Sequence, residues 1–480
     1  MSEVKKELPQ GWSWADFPKI CFTLSDNGKK LKQKQYLDEG AYPVIDQGSS
    51  DIAGFTNDET LVFDGEFPIV AFGDHTRRFK KVSKKFVVGA DGVKLFKPSS
   101  DLNFDYILKL LRISKFEDRG YSRHFQFVKK LHLPIAPLAE QTRIVDKIDE
   151  LFSSIEAGER AIKQARAGVA RYRKAILKAA VTGELTADWR DENPTKESAK
   201  DLLARILTAR FEAWEKSELA KLDAKGKARP ETEKQWEKFR ARYKPPVEPK
   251  LSNEIDLPVG WHSASIDALI FRVTKGSSPK WQGFDYQDKG IIFVRSQNVG
   301  WGHLQLDEVA YLDDGFNTKN PRSMIREGDL LLNIVGASVG RAAIADKRLD
   351  GANSNQAVAA LRPIERASAD WILRYFLSTQ GQQIIHHEKV DVARANFNLN
   401  QIAEVFIPLP PLAEQVEIVN RVEQALSKAD AVEATLDAQS RAAKALKQAV
   451  LKIAFEGKLV PQNPKDEPAS ELLKRIRAAS

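Results

Sequence analysis

A single cysteine, Cys21, stands among 480 residues. That excludes an internal disulfide framework and any cysteine-rich zinc site. No apolar run approaches the roughly 18 residues that a membrane helix requires. The opening Met1-Ser-Glu-Val-Lys-Lys6 is charged with no apolar stretch behind it, so the expectation is a cytoplasmic chain with no secretion signal and no membrane partner. Catalytic signatures are also missing. There is no Asn/Asp-Pro-Pro-Tyr/Phe run for amino methylation, no glycine-rich cofactor loop after a strand and no Walker-type phosphate loop. His386-His387-Glu388 lacks zinc-protease spacing. Glu248-Pro-Lys250 imitates the end of a nuclease motif, but in a proline-rich stretch where no strand can hold it. No catalytic residue and no metal ligand is therefore expected.

What the chain has is charge and repetition. A net charge of +8, with 29% charged and 42% hydrophobic residues, reads as globular and modestly inclined toward a polyanion. Internal repeats decide the architecture. Pro137-Leu-Ala-Glu-Gln141 returns as Pro411-Leu-Ala-Glu-Gln415, and Gly183-Glu-Leu185 returns as Gly457-Lys-Leu459. Leu8-Pro-Gln-Gly-Trp12 opens the first half as Leu257-Pro-Val-Gly-Trp261 opens the second. Pro194, Glu197, Ala199 and Leu202-Leu203 recur as Pro464, Glu467, Ala469 and Leu472-Leu473. Between these echoes, blocks 13–133 and 262–407 look unrelated.

Each repeated segment reads as a long helix, with proline before it, glycine after it and no proline within. In a heptad frame Ile148, Ile155, Ile162, Val169 and Ile176 take a, while Leu151, Gly158 and Tyr172 are among the d positions. In the second copy Val422, Leu436 and Val450 are among the a positions, and Ile418, Val432 and Leu446 among the d positions. Antiparallel pairing then sets Ile148 against Leu446, Leu151 against Ala443, Gly158 against Leu436, Ile162 against Val432 and Tyr172 against Val422. The expectation is an intramolecular antiparallel coiled coil, each helix roughly 65 Å long at 1.5 Å per residue. The alternative is that each stripe buries against its own neighbouring domain. From Trp189 to Lys244 the chain is highly charged and partly helical in pattern, ending in Lys244-Pro-Pro-Val-Glu-Pro-Lys250, a stiff linker.

The blocks mix short β runs (67–72, 86–88, 291–295, 329–334 and 357–361) with helical stretches (104–113 and 370–378), which makes the class α+β. The sheet order is not legible. Loops carry residues suited to DNA: His75, Arg77 and Arg78, then Lys80, Lys81, Lys84 and Lys85; and Arg119, Tyr121, Arg123 and His124. The second block offers Lys275, Arg295, Gln297, Asn298, Ser338, Arg341, Asn355, Gln356, Arg394 and Asn396. Arginine can bond guanine through two atoms, and Asn or Gln can do so with adenine. Lysine and hydroxyl groups more often bond phosphates, which position without specifying. Any one of these residues equally suits a solvated loop charge or a turn-holding side chain; the set is what points to DNA.

With its doubled Pro-Leu-Ala-Glu-Gln, its Gly-Trp openings, its Gly336–Arg341 turn and Gly183-Glu-Leu-Thr-Ala-Asp-Trp-Arg-Asp-Glu-Asn-Pro194, the chain resembles the specificity subunit of type I restriction–modification systems over nearly its whole length. The resemblance implies two α+β target-recognition domains, at 1–137 and 257–410. It implies spacer helices at 138–186 and 411–460 forming the coiled coil, a connector at 187–256 whose region 195–250 is longer than the family's minimal connector, and a tail at 461–480. It implies double-stranded DNA as ligand, read at a bipartite site that is asymmetric because the two blocks differ. The implied partners are two methyltransferase subunits using S-adenosylmethionine and restriction subunits using ATP and Mg, with no cofactor in this chain. The competing readings are a coiled-coil protein scaffold and a stand-alone methyltransferase or nuclease.

Overall fold

In a computed structural model the described residues are 7–90, 92–115, 123–194, 196–247, 257–387 and 397–479. The chain divides into two compact units, Met1–Ala165 with Leu436–Ser480, and Arg166–Thr435. Two uninterrupted helices run through both, Leu138–Thr182 and Leu412–Phe455.

The block in the first unit holds two four-stranded sheets. One is antiparallel throughout and runs Cys21–Leu24, Val93–Pro98, Ile69–Gly73, Phe79–Val82. The other runs Lys30–Leu31, Val87–Gly89, Tyr42–Ile45, Gly54–Thr56. The block in the second unit repeats this plan: Ile270–Lys275, Val358–Pro363, Leu330–Asn333, Ala342–Ile344, with a second sheet Ala310–Leu312, Ile291–Val294, Asn353–Ser354. The blocks that look unrelated in sequence therefore share one sheet order, except that Lys30–Leu31 has no counterpart among the described residues of the second block. Phe104–Ile113 and Ser368–Leu377 are helical, amphipathic and packed on the sheets, as the apolar spacing requires.

Each block is closed by a two-stranded clasp, Ser13–Asp16 with His132–Ile135 and His262–Ser265 with Phe406–Leu409. Beside each clasp the scattered echoes meet in one joint. In the second unit the Glu414 carboxylate is fully buried and takes bonds from Trp261 Nε1 (2.8 Å), Thr186 Oγ1 (2.8 Å) and the Arg190 guanidinium (2.8 and 3.0 Å). Gly183 caps the first long helix with φ +78°, and a Cβ there would lie 2.4 Å from Pro258 and 3.2 Å from Trp261. Ala199 N–H donates to the Gly260 carbonyl. The first unit builds the same joint from the other ends of the repeat. A Cβ on Gly457 would lie 2.4 Å from Pro9 and 3.3 Å from Trp12, and Ala469 N–H donates to Gly11. Gln141 and Gln415 each donate to the carbonyl five residues back, Ala136 and Pro410, fixing the entry of both helices.

The joints differ at one place. Thr186 has Val460 at the corresponding position, and the second copy is four residues shorter between Gly457 and Pro464 than the first between Gly183 and Pro194, the stretch that carries Arg190; buried Glu140 has one carboxylate oxygen with no donor among the described residues. Burial raises its pKa, opposed in part by the Trp12 indole and by Arg143.

The helix seam departs from the expected register. Ile148, Val422, Leu436 and Val450 are buried, but Tyr172, Val432 and Leu446 are 44%, 47% and 52% exposed. The inward residues are Ile148, Phe152, Ile155, Glu159 and Ile162 with Leu436, Ser440, Ala443, Lys447 and Val450 in the first unit. In the second unit Val169, Arg173, Ile176 and Ala180 lie inward with Val422, Leu426 and Ala429. The seam therefore uses a and e rather than a and d along most of its length, and the pairings Ile148–Leu446, Ile162–Val432 and Tyr172–Val422 are replaced. Charged e residues explain the choice. Lys447 lays its stem over the Phe152 ring and pairs with Glu159 at 2.9 Å and Glu156 at 3.6 Å. Arg173 pairs with Asp430 and Glu433. Taken with Arg143–Asp466 in the first unit and Thr186–Glu414 in the second, these contacts show that the segments run antiparallel within each unit.

Two outcomes follow. A cysteine placed at Leu446 reacts with maleimide at the rate of an exposed thiol, whereas one at Val450 is protected; equal protection would restore the a/d seam. Glu414→Gln lowers stability by about 3–5 kcal/mol, because a buried, fully bonded charge pair is broken. Glu140→Gln does not. A raised carboxyl pKa favours the folded state at acid pH, and that contribution is lost as pH rises through the folded value. Glu140→Gln therefore flattens the pH dependence of the unfolding midpoint and leaves it unchanged or higher at neutral pH.

Candidate nucleic-acid interface

Strand register gathers the loops of each block at one end of its sheets. In the second block Lys275 lies opposite Ala359, Asn333 opposite Val358, Leu332 opposite Ala342, and Val294 opposite Ser354. Loops 276–279, 295–299, 334–341 and 353–357 must then emerge together. Backbone and amide bonds stitch them: Ser277 N to Ser354 O (3.1 Å), Asn355 N to Val294 O (3.0 Å), Ile334 N to Ala357 O (2.9 Å) and Asn333 Nδ2 to Ser296 O (2.8 Å). A Cβ on Gly276 would sit 1.5 Å from the Ser354 carbonyl oxygen, so only glycine lets these two loops touch.

The sequence candidates divide sharply on this platform. Lys275, Gln297 and Gln356 are exposed, and Ser338 and Arg341 are half-buried at its surface. Asn298 is buried and spends its amide on the Gln305 and Glu308 carbonyls and the Arg295 N–H. Asn355 accepts from Ala357 N in a turn, and the Arg295 guanidinium reaches the Glu308 carbonyl at 3.4 Å. These three shape the loops. Phe397 N donates to Ile334 O, which brings the following segment to the same end; Arg394 and Asn396 themselves lie outside the described residues.

The first block repeats the arrangement. Gly73 lies opposite Val93, and loops 46–51 and 74–78 converge beside Gly92. Asp74 N donates to Gly92 O (2.6 Å), Thr76 Oγ1 to Gln47 O (2.5 Å), His75 N to Gln47 Oε1 (3.3 Å) and Arg78 to Ser49 O (3.3 Å). The hairpins correspond bond for bond. Gly73 N donates to Arg78 O and Arg77 N to Gly73 O, just as Asn333 N donates to Arg341 O and Gly340 N to Asn333 O. Arg78 and Arg341 are thus equivalent. Arg77 adopts φ +59° where the other block has Gly340 at +91°. A left-handed backbone is uncommon for a residue with a side chain as large as arginine's.

Other first-block candidates are structural. His124 is buried with Nδ1 2.9 Å from the Asp74 carbonyl. Lys80 is buried and donates to the carbonyls of Asp46 (2.7 Å) and Ser50 (2.6 Å), and burial lowers its pKa. Lys81 pairs with Asp105 at 2.7 Å. Val82 pairs with Ile69, at the far end of the strand from Gly73, so Lys84 and Lys85 follow away from the gathered loops. Arg123 is exposed beside His124; Arg119 and Tyr121 lie outside the described residues.

Two exposed tryptophans lie beyond the sequence candidates. Trp281 is 89% exposed on a turn pinned by the paired amides of Gln282 and Asn320 (2.7 and 3.1 Å). Trp301, half-exposed, is bridged to Ala342, next to Arg341. Tryptophans in glycine-flanked loops were the available signal. Among the described residues no cluster of His, Cys, Asp and Glu could hold a metal, and no helix is long and apolar enough to cross a membrane.

Comparison with known proteins fits this doubled platform. The specificity subunit of the type I restriction enzyme EcoBI of Escherichia coli is 29% identical over 356 residues, 72% of this chain and 64% of that protein. The EcoDI specificity subunit of Escherichia coli is 23% identical over 98% of this chain and 96% of that one. A structure solved in a study of assembly and conformational transition of the type I restriction–modification system aligns with TM-score 0.62 at 18% identity, over 94% of this chain and 99% of that one. The pattern of the type I restriction modification DNA specificity domain matches residues 19–165 and 270–439, and the chain belongs to that family.

Proposed function

We propose that each block reads one half of a bipartite, asymmetric DNA site, and that the chain directs adenine methylation or restriction carried out by partner subunits. The observation that carries this is the doubled platform, two blocks of shared sheet order presenting different polar loops at the same end of the sheets. A shared scaffold with unlike loops gives unlike half-sites. Arg78 and Arg341 occupy the equivalent hairpin position and are the leading base readers, joined by Arg77, Gln297 and Gln356. Lys275 suits a phosphate. The partners are two methyltransferase subunits binding S-adenosylmethionine and restriction subunits using ATP and Mg, all acting in the cytoplasm. The relatives being specificity subunits supports a reader rather than a catalyst, and the target base would be flipped out by a partner.

The test is a genome-wide map of methylated adenines in cells expressing this chain with a cognate methyltransferase subunit. A split, asymmetric motif appears, and Arg341→Ala relaxes one position of one half-site by about 1–3 kcal/mol of discrimination. An assembled complex that methylates no such motif would instead favour a protein scaffold.

A further inference from the structure

The connector folds into an arm on the second unit. Helices Ala199–Ala224 and Glu233–Arg240 pack through Phe211, Trp214, Phe239 and Tyr243, with ring centroids 5.1–5.9 Å apart. Arg210 fastens the arm to the domain, bonding Asp267 at 3.0 Å and Tyr243 Oη at 2.7 Å. Between arm and domain lies a cleft of about 600 Å³.

Its lining is cationic: Arg210, Lys221, Arg242, Lys244, Arg272 and Arg322, against the single carboxylate of Glu218. Glu218 is taken by both Lys221 (2.5 Å) and Arg242 (2.6 Å). Arg272, Arg322 and Lys244 have no ion pair among the described residues. Arg272 is half-buried on strand Ile270–Lys275, with Arg362, Arg326 and Arg322 close by. Of these, Arg362 is neutralised by Asp329 at 2.7 Å and Arg326 faces Asp350 at 3.7 Å. Burial, followed by the charge of Arg362, lowers the pKa of Arg272. Asp329 offsets this only in part, and cations held this close are stabilised by an anion between them.

We infer that this cleft binds the phosphate backbone of duplex DNA running on from the half-site read by the second block. The inference rests on the DNA-reading function proposed above. The strand itself supplies continuity. Thr274 lines the cleft, and the next residue, Lys275, stands at the reading end of the sheet. At about 3.3 Å per residue, Arg272 lies roughly 10 Å from Lys275, well within one turn of duplex. Cations on a helix, a linker and a strand suit a run of phosphates, and phosphate contacts position without specifying.

The experiment uses the full chain and two duplexes carrying the mapped site. One ends at the second half-site and the other extends about one helical turn beyond it. The unaltered chain binds the extended duplex more tightly. Arg272→Gln with Arg322→Gln removes that advantage, roughly tenfold at physiological salt, and reduces the salt slope on the extended duplex by about 2. The truncated duplex and the methylated motif are unaffected. Lys244→Gln, on the exposed linker, gives a smaller loss of the same kind without touching the sheet. Equal affinity for both duplexes, or equal weakening on both by the variants, overturns the cleft. Loss of the methyltransferase partner with DNA binding intact also overturns it, making the cleft a protein contact. Indifference of the unaltered chain to scrambling the site overturns the DNA reading itself.

Discussion

The Glu414 carboxylate, with none of its side chain exposed, is the point from which the second unit is organised. A buried charge is tolerated only when every oxygen is engaged. Here Trp261 comes from the opening of the block, Thr186 and Arg190 from beyond the first long helix, and Glu414 from the start of the second. One carboxylate therefore ties together segments more than 200 positions apart. It explains why Gly-Trp, Gly-Glu-Leu-Thr and Pro-Leu-Ala-Glu-Gln, which look like separate motifs, occur together.

The joint also explains how the blocks can diverge. Each block leaves and re-enters through a clasp of adjacent antiparallel strands, Ser13 opposite Ile135 and His262 opposite Leu409. Everything beyond the clasp is free to change so long as its two ends stay side by side. The sheet order survives in both blocks while the loops do not, which is what a reader of unlike sequences requires. The first joint, built around an incompletely bonded Glu140, shows that the frame tolerates a weaker centre when the surrounding apolar packing of Ile144, Ile148, Ala454 and Leu472 is kept.

Much of this was legible in the residues. Repetition located the helices and the joints, and the β runs at 291–295, 329–334 and 357–361 fall on Ile291–Val294, Leu330–Asn333 and Val358–Pro363. The shared topology was hidden because strands of three to six residues fix only an apolar alternation, which many sequences satisfy. The seam was misjudged because a heptad frame counts apolar residues. Arg173 and Lys447 cover it with aliphatic stems while their charged ends pair across the helices. Site residues were partly legible. Loop position placed Arg77, Arg78 and Arg341 on the gathered loops, but residue type could not separate an Asn free to face a ligand from one, such as Asn298, that holds a turn.

The joint and clasp form a fixed frame, and the block alone carries the half-site. This is tested most directly by replacing residues 13–135 with residues 262–409 and mapping methylated adenines. Both halves of the methylated site are then expected to carry the sequence formerly recognised by the second block. Persistence of the original first half-site would contradict it.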